Sequence, residues 1–143
     1  MAFYTKTLHI TTQTPLELIN LTSEIQQFVQ TTGIENGLCV VSTQHTTVAL
    51  KINEECPYLR QDFLKFFQSL VPPQLPYSHN AHTLDGRPNA HSHLLAMFLE
   101  ANQTIPIVKK QLQLGTWQSI FMIELDGPRP ERKVLLTVWG DSD

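Results

Sequence analysis

The stretch LCVVSTQHTTVALKI, residues 38–52, decides the fold. Leu38 to Val41 and Thr46 to Ile52 are runs of β-branched and apolar residues, and such runs predict two successive strands. Gln44 and His45 stand between the two runs. Because a buried polar group is costly unless it is hydrogen-bonded, this polar break is the first place to look for a functional site.

A strand and a helix are predicted before this stretch. Tyr4 to Ile10 alternates between two faces, as strands do. Thr14-Pro15-Leu16-Glu17 combines a cap, a first-turn proline and a later glutamate, which together indicate a helix start, and Gly33 is suited to end that helix. The helix would carry an apolar stripe made of Leu18, Leu21, Ile25, Phe28 and Val29.

Two helices and three strands are predicted after it. The first helix ends at Pro72-Pro73 and has its apolar side chains at helical spacing: Leu59, Phe63, Phe66, Phe67 and Leu70. No periodicity follows until about Arg87, and compact domains rarely keep so long a connection unless it builds or covers a site. Asn89 can cap the next helix. The three β segments are Ile105–Val108, Trp117–Leu125 and Val134–Trp139.

The order of these elements indicates the fold class. Over residues 1–143 it is β-α-β-β-α-α-β-β-β, which is typical of a single α+β domain with about three helices and a mixed or antiparallel sheet. A chain of 143 residues is long enough to bury its own core.

Composition excludes several classes of function. The chain is 41% hydrophobic and 16% charged with a net charge of −3, so it is globular and lacks the basic stripe that nucleic acids need. The first residues lack an apolar signal region, and no apolar run approaches about 18 residues. We therefore expect a cytoplasmic protein without a membrane partner. Cys39 and Cys56 have no C-x-x-C spacing and are expected to be free thiols.

Five of the six histidines lie between positions 45 and 93, namely His45, His79, His82, His91 and His93. Neutral imidazole is the commonest metal ligand, and three imidazoles with one open position are usual in catalytic zinc sites. Their spacing matches no compact metal motif, so loop histidines hydrogen-bonded to solvent and backbone remain the alternative. His91 and His93 are two residues apart and face different ways on a helix, so they are not expected to bind one ion.

Several motifs resemble those of the YjbQ family. In chain order they are His45-Thr46-Thr47, Asn53-Glu54, Asp62, Tyr77-x-His79, Asn89-Ala90-x-x-His93-Leu94, Gly115-Thr116-Trp117-Gln118 and Arg132. The resemblance implies a small α+β fold that assembles as a homotrimer. It also implies that His45, His79 and His93 gather at one site that binds a divalent metal. Family members are described as having a secondary thiamine-phosphate synthase activity, which joins a pyrimidine pyrophosphate to a thiazole phosphate.

Two features depart from the family pattern. The segment from Asn80 to Ser92 looks longer than usual and carries His82 and His91. Glu100-Ala101-Asn102 stands where a small residue is expected. Both concern the rim of the site and the choice of substrate rather than the three histidines.

Other polar residues are candidates for roles beside a metal. Those that could orient imidazole N–H groups or hold a water are Asp85, Asn89, Glu124 and Asp126. Glu124 could equally be an outward strand residue. Arg129 and Arg132 flank a proline-rich turn, where a guanidinium suits a phosphate or carboxylate and a solvated turn is the alternative.

Three functions are compatible with these residues. The first is a metal-assisted enzyme acting on a small phosphorylated or anionic molecule. Zinc is its expected metal, bound by His45, His79 and His93, and its catalytic residues would be Glu124, Asp85 and Arg132. The second is a non-enzymatic trimer that binds a metal or metabolite, and the third is a metal-dependent hydrolase. Catalysis needs an acid or base beside the metal, whereas storage or sensing does not.

Overall fold

The computed structural model describes residues 1–142, and its elements follow the predicted α+β order with short additions. The elements are β1 (Ala2–Ile10), β2 (Glu17–Asn20), α1 (Thr22–Thr32), β3 (Asn36–Ser42), β4 (Val48–Glu54), α2 (Pro57–Leu70), α3 (Ser78–Ala81), α4 (Ala90–Phe98), β5 (Asn102–Val108), β6 (Gln111–Leu112), β7 (Gln118–Glu124) and β8 (Arg132–Asp141). The additions are β2, α3 and β6. None of the helices in the described residues is long and apolar enough to cross a membrane.

The strands form two antiparallel sheets. Sheet A has the order β1-β8-β3-β5-β6, and sheet B has the order β2-β7-β4. Strand β8 pairs with β1 as far as Ile10↔Arg132, but with β3 only as far as Ser42↔Leu135. The start of β8, at Arg132 and Lys133, therefore has a strand partner on one side and none on the other.

The hydrophobic core has two layers on either side of sheet B. The first lies between the sheets, and its buried residues include Ile25, Val41, Leu50, Met122 and Leu136. The second lies between sheet B and helices α2 and α4, and includes Phe67, Leu95, Phe121 and Ile123. Strand β7 is therefore buried on both faces. Because side chains alternate along a strand, Glu124 points to the same side as Met122, towards the first layer.

One face of sheet A carries an exposed apolar row. Phe3 is paired with Trp139, Trp139 with Leu38, and Leu38 with Pro106, so these residues lie side by side across four strands. Phe3 is 66% exposed and Trp139 is 46% exposed.

The predicted start of the first helix is wrong. Residues Glu17–Asn20 form β2, and α1 begins at Thr22. The Glu17 carboxylate does accept a hydrogen bond from the Thr14 N–H at 3.1 Å, as in a capping box. The chain then pairs with β7 and buries Leu18 instead of coiling. The helix starts where Asn20 Oδ1 accepts the Thr22 N–H, at 3.0 Å.

Candidate functional site

A polar cavity of about 290 Å³ lies where β4, α4 and β8 begin. All of its lining residues are polar, and they come from three segments of the chain. These segments contribute Gln44–Thr47 before β4, then Asp85, Asn89 and His93 around the start of α4, and finally Arg129 and Arg132. The polar break between the two apolar runs of residues 38–52 therefore lies at a cavity.

A second cavity of about 370 Å³ shares His93 with the first and is also lined by Tyr77, His79 and Leu94. The rings of His79 and His93 meet edge-on, with centroids 4.9 Å apart and an interplanar angle of 79°. Two imidazoles bound to one zinc ion at about 2.1 Å, with a tetrahedral angle between them, have centroids roughly 5 Å apart. The spacing of the His79–His93 pair is therefore compatible with two ligands of one ion, and it is also that of an edge-to-face ring contact.

Asn89 fixes the tautomer of the His79 ring. The Asp126 carboxylate can only accept, so the Asn89 amide nitrogen donates to Asp126 Oδ2 at 2.7 Å. The amide oxygen of Asn89 then faces His79 Nε2 at 2.9 Å, and Nε2 carries the proton. The lone pair of His79 is therefore on Nδ1. A polar residue that holds the far N–H in this way is the usual partner of a metal-binding histidine.

Asp126 holds several neighbours of the cavity together. Its Oδ2 accepts hydrogen bonds from Arg87 Nε at 3.0 Å and Arg129 Nη2 at 2.8 Å, besides that from Asn89. Burial by itself would raise the pKa of Asp126, but the hydrogen bonds from Arg87, Asn89 and Arg129 outweigh it, and the pKa is lowered. Asp126 is therefore a fixed anion that joins the loop before α4 to the turn after β7.

His45 has its own backbone partner at the end of sheet A. Where β3 has ended, the Lys133 N–H donates to His45 Nε2 at 2.9 Å, and the Thr43 hydroxyl donates to the Lys133 carbonyl at 3.3 Å. Beyond the end of β3, these two side chains therefore make the hydrogen bonds to β8 that a strand would make. Because a backbone N–H can only donate, Nε2 holds the lone pair and the neutral ring carries its proton on Nδ1. Burial, and then Arg132, lower the pKa of His45, which favours this neutral ring.

The three histidines predicted as metal ligands do not form one set. His79 and His93 are the two that could hold a metal together, because their rings are in contact and because burial, followed by the nearby His79, lowers the pKa of His93 and favours its neutral form. The lone pair of His45 is already used by Lys133. Over residues 1–142, no group of three or more His, Cys, Asp or Glu side chains is arranged to hold a metal ion.

A buried ion pair lies behind the cavity. Arg132 is 2% exposed and Glu124 is 0% exposed. Arg132 donates from Nε and Nη2 to the two Glu124 oxygens at 2.8 and 2.6 Å, and Nη2 also donates to the Thr47 hydroxyl at 2.9 Å. Glu124 further accepts from the Thr12 hydroxyl and the Asp126 N–H, each at 2.9 Å. The solvated-turn alternative for Arg132 and the outward-facing alternative for Glu124 are therefore both wrong.

This pair gives Glu124 a positioning role. Burial would raise the pKa of Glu124, but Arg132 and the Asp126 N–H outweigh it, and the pKa is lowered. The carboxylate stays ionised and directs Arg132, which lines the cavity. Asp85 is the exposed carboxylate on the cavity wall, where its Oδ1 accepts the Arg87 N–H at 3.1 Å.

Sequence reasoning missed part of this network. Thr12 accepts the Arg129 N–H at 2.8 Å while donating to Glu124, and Arg87 binds Asp126, but neither belongs to a motif. The contact between Thr47 and Arg132 was easier to anticipate, because Thr47 belongs to the H-T-T segment. His91 lines a separate cavity of about 80 Å³ with Leu95 and others, so it faces away from His93, as the two-residue offset predicts.

Comparisons with known proteins find one family. A family model described as UPF0047 protein YjbQ-like matches residues 6–141. A UPF0047 protein of Methanothermobacter thermautotrophicus is 41% identical over 140 residues, covering 98% of this chain and 94% of that protein. The YjbQ protein of Escherichia coli O157:H7 is 32% identical, covering 85% of this chain and 87% of its own.

Solved structures share the fold. The crystal structure of a protein of unknown function from Sulfolobus solfataricus P2 is 35% identical and has a TM-score of 0.93, with 98% of this chain and 99% of that chain covered. A hypothetical protein from Aeropyrum pernix K1 is 37% identical with a TM-score of 0.89, covering 96% and 99% of the two chains.

Proposed function

The chain belongs to the YjbQ-like UPF0047 family, and from this starting point we propose that it is a metal-assisted enzyme acting on a small phosphorylated or anionic molecule. The observation that carries the proposal is the polar cavity, which brings an exposed carboxylate and two arginines beside a pair of adjacent imidazoles.

Each side chain has a distinct role in this proposal. His79 and His93 would hold a divalent metal, zinc being the expected one. When bound, the metal supplies Lewis-acid stabilisation of negative charge on the ligand. Arg129 and Arg132 donate hydrogen bonds to phosphate or carboxylate oxygens, for which the planar guanidinium is suited. Asp85 accepts or supplies a proton at the cavity wall.

The specific reaction we propose to test first is thiamine-phosphate synthesis, because the resemblance to the family implies it. In that reaction the C–O bond between pyrophosphate and the methylene carbon attached to the pyrimidine ring breaks, pyrophosphate leaves, and the thiazole nitrogen forms a C–N bond to that methylene carbon. Both substrates carry phosphate groups that Arg129 and Arg132 can bind. The alternatives are a metal-dependent hydrolase and a non-enzymatic protein that binds a metal or metabolite.

A homotrimer is also part of the proposal, because the resemblance implies it. The apolar row of Phe3, Trp139, Leu38 and Pro106 supports an association of copies, since exposed apolar patches mark interaction surfaces. The number of subunits comes from the resemblance alone.

Titration of zinc into metal-free protein, with and without pyrophosphate, tests the metal site. Because His93 is a direct ligand, we expect His93→Ala to weaken zinc binding by more than the roughly 10–100-fold typical of outer residues. His82→Ala is the matched control, because His82 directly follows the short helix α3 that carries His79, is exposed, and contacts the Ser78 carbonyl. Equal zinc affinity in the parent and both variants would contradict the site.

Turnover separates an enzyme from a binding protein. We expect Asp85→Asn to lower kcat while leaving pyrophosphate affinity nearly unchanged, because Asp85 would act on protons rather than hold the anion. Pyrophosphate release that requires both the pyrimidine and the thiazole substrate indicates the transferase, whereas release of phosphate or pyrophosphate from one substrate alone indicates the hydrolase. If the protein binds phosphorylated metabolites tightly and converts none of them, the proposed enzyme is excluded and the non-enzymatic binding protein is favoured.

A further inference from the structure

We infer that His45 is a hydrogen-bond donor to an oxyanion of the bound ligand, through its Nδ1–H, and that it is not a metal ligand. The inference rests on the proposed function, because it takes the same cavity to be the ligand site. It assigns a ligand-recognising role to the histidine of the H-T-T segment and separates that role from the His79–His93 pair.

The backbone of β8 determines which ring nitrogen of His45 is free. The Lys133 N–H has no partner on β3, because the β3 pairing stops at Leu135, and it donates to His45 Nε2 at 2.9 Å instead. A metal ion on Nε2 would displace this hydrogen bond, in which His45 is the acceptor of the Lys133 N–H within the described residues. A metal ion on Nδ1 would need the proton to move to Nε2, where it would meet the Lys133 N–H. Either route is unfavourable.

The free nitrogen of His45 is exposed, and His45 is one of the residues that line the cavity. Nδ1 makes no hydrogen bond with residues 1–142, and the one buried, unpartnered side-chain nitrogen or oxygen in that range belongs to His91. Nδ1 of His45 therefore has solvent-accessible surface, and His45 lines the 290 Å³ cavity. By the same reasoning Nη1 of Arg132, a residue that also lines the cavity, has no partner in the described residues and has exposed surface.

The arrangement suits an oxyanion rather than a ligand that donates hydrogen bonds. The Arg132 charge is offset by Glu124, and the Arg129 charge by Asp126. The cavity wall therefore presents fixed hydrogen-bond donors and little net positive charge. A phosphate group has enough lone pairs to accept from Arg132, Arg129 and His45 together. The His45 donor adds selectivity for an acceptor without adding charge.

Nitrogen NMR of histidine-labelled protein tests the protonation directly. At neutral pH we expect His45 Nδ1 to have the shift of a protonated nitrogen and Nε2 that of an unprotonated one. Zinc alone should move the signals of His79 and His93 and leave those of His45 in place, whereas pyrophosphate alone should move His45 Nδ1. A proton on Nε2, or a zinc-induced change at Nε2 of His45, would overturn the inference.

A pair of variants isolates the donor from the structural role. His45→Asn retains an N–H near the position of Nδ1, while His45→Ala does not, and both remove the partner of the Lys133 N–H. We expect pyrophosphate affinity to fall about 10- to 100-fold in His45→Ala, as for a hydrogen bond to a charged group, and much less in His45→Asn. Zinc affinity without pyrophosphate should change less than about twofold in both, because no metal bond is lost.

The outcomes distinguish this inference from the proposed function. Equal losses of pyrophosphate affinity in the two variants would reduce His45 to a structural residue and overturn the donor role, even if zinc still binds. If the parent protein binds neither zinc nor pyrophosphate, the proposed function fails and the ligand-binding role of His45 fails with it. Zinc and pyrophosphate binding with a large zinc loss in His45→Ala would instead make His45 a metal ligand and leave the proposed function intact.

Discussion

The Glu124–Arg132 pair is expected to contribute strongly to stability, and Glu124→Gln tests this. The substitution keeps the side-chain size but leaves the Arg132 guanidinium, 2% exposed, without its counter-charge. Removing one partner of a buried ion pair typically costs about 3–5 kcal/mol. Domains of this kind have a free energy of unfolding of roughly 5–15 kcal/mol, so the variant should fold but lose a large part of its stability.

Urea denaturation at pH 7, followed by tryptophan fluorescence, measures the loss. With an m-value of about 1–3 kcal/mol/M, the midpoint should fall by roughly 2 M. Glu100→Gln is the control, because Glu100 is 55% exposed and pairs with Lys51 at the surface. Exposed ion pairs contribute about 0–1 kcal/mol to the free energy of unfolding, so the urea midpoint of the control variant should barely change.

The pH dependence gives a second check on the same variant. The folded-state pKa of Glu124 lies below its ordinary 4.5, so its contribution is complete above about pH 4.5 and is lost as the pH falls through the folded-state pKa. The difference between the parent and Glu124→Gln should therefore narrow in acid. A loss below about 1 kcal/mol at pH 7, or a difference that widens in acid, would refute the reasoning.

The remaining predictions concern the metal, the anion and the assembly. Asn89→Ala should weaken zinc binding about 10- to 100-fold, because it frees the His79 ring, whereas His91→Ala should have little effect. Competition with a chelator measures both affinities. A larger loss in His91→Ala than in Asn89→Ala would contradict the assignment of His79 as a ligand. Arg129→Ala should weaken pyrophosphate binding without changing zinc affinity, and unchanged pyrophosphate affinity would remove Arg129 from the anion site. Light scattering should give a trimer for the parent and a smaller species for Trp139→Glu; a parent mass near 16.3 kDa at micromolar concentration would exclude the trimer.

The sequence predicted the element types better than their boundaries. The alternation of β1 and the apolar spacing of α2 arise from burial on one side, so they can be seen in one chain. The β2 strand could not be predicted, because the helix-start signal of residues 14–17 ends on its first residue, Glu17. What makes them a strand is the pairing with β7, about 100 residues away in sequence.

The sequence predicted residues of the candidate site but not the hydrogen bonds and ion pairs between them. The H-T-T segment and the histidine-rich loop do meet, with His45 and His93 on one cavity. Spacing could not reveal that the Lys133 N–H occupies the lone pair of His45, because that contact depends on where β3 stops. Nor could spacing show that Arg132 is buried against Glu124, because the sequence of an arginine-containing turn is the same whether its side chains are buried or solvated.

The loop that carries His79 is fastened at both ends. Asn80 Oδ1 accepts the Ala90 N–H at 3.0 Å, and Arg87 is held by Asp126, while Leu84 between them is fully exposed. The tip of the loop is therefore mechanically separate from the imidazoles, as exposed loop tips often are. Residues can be gained or lost around Leu84 while His79 and His93 keep their spacing. The tip offers evolution, or a protein engineer, a place next to Asp85 where the entrance of the site can be reshaped without moving the two imidazoles.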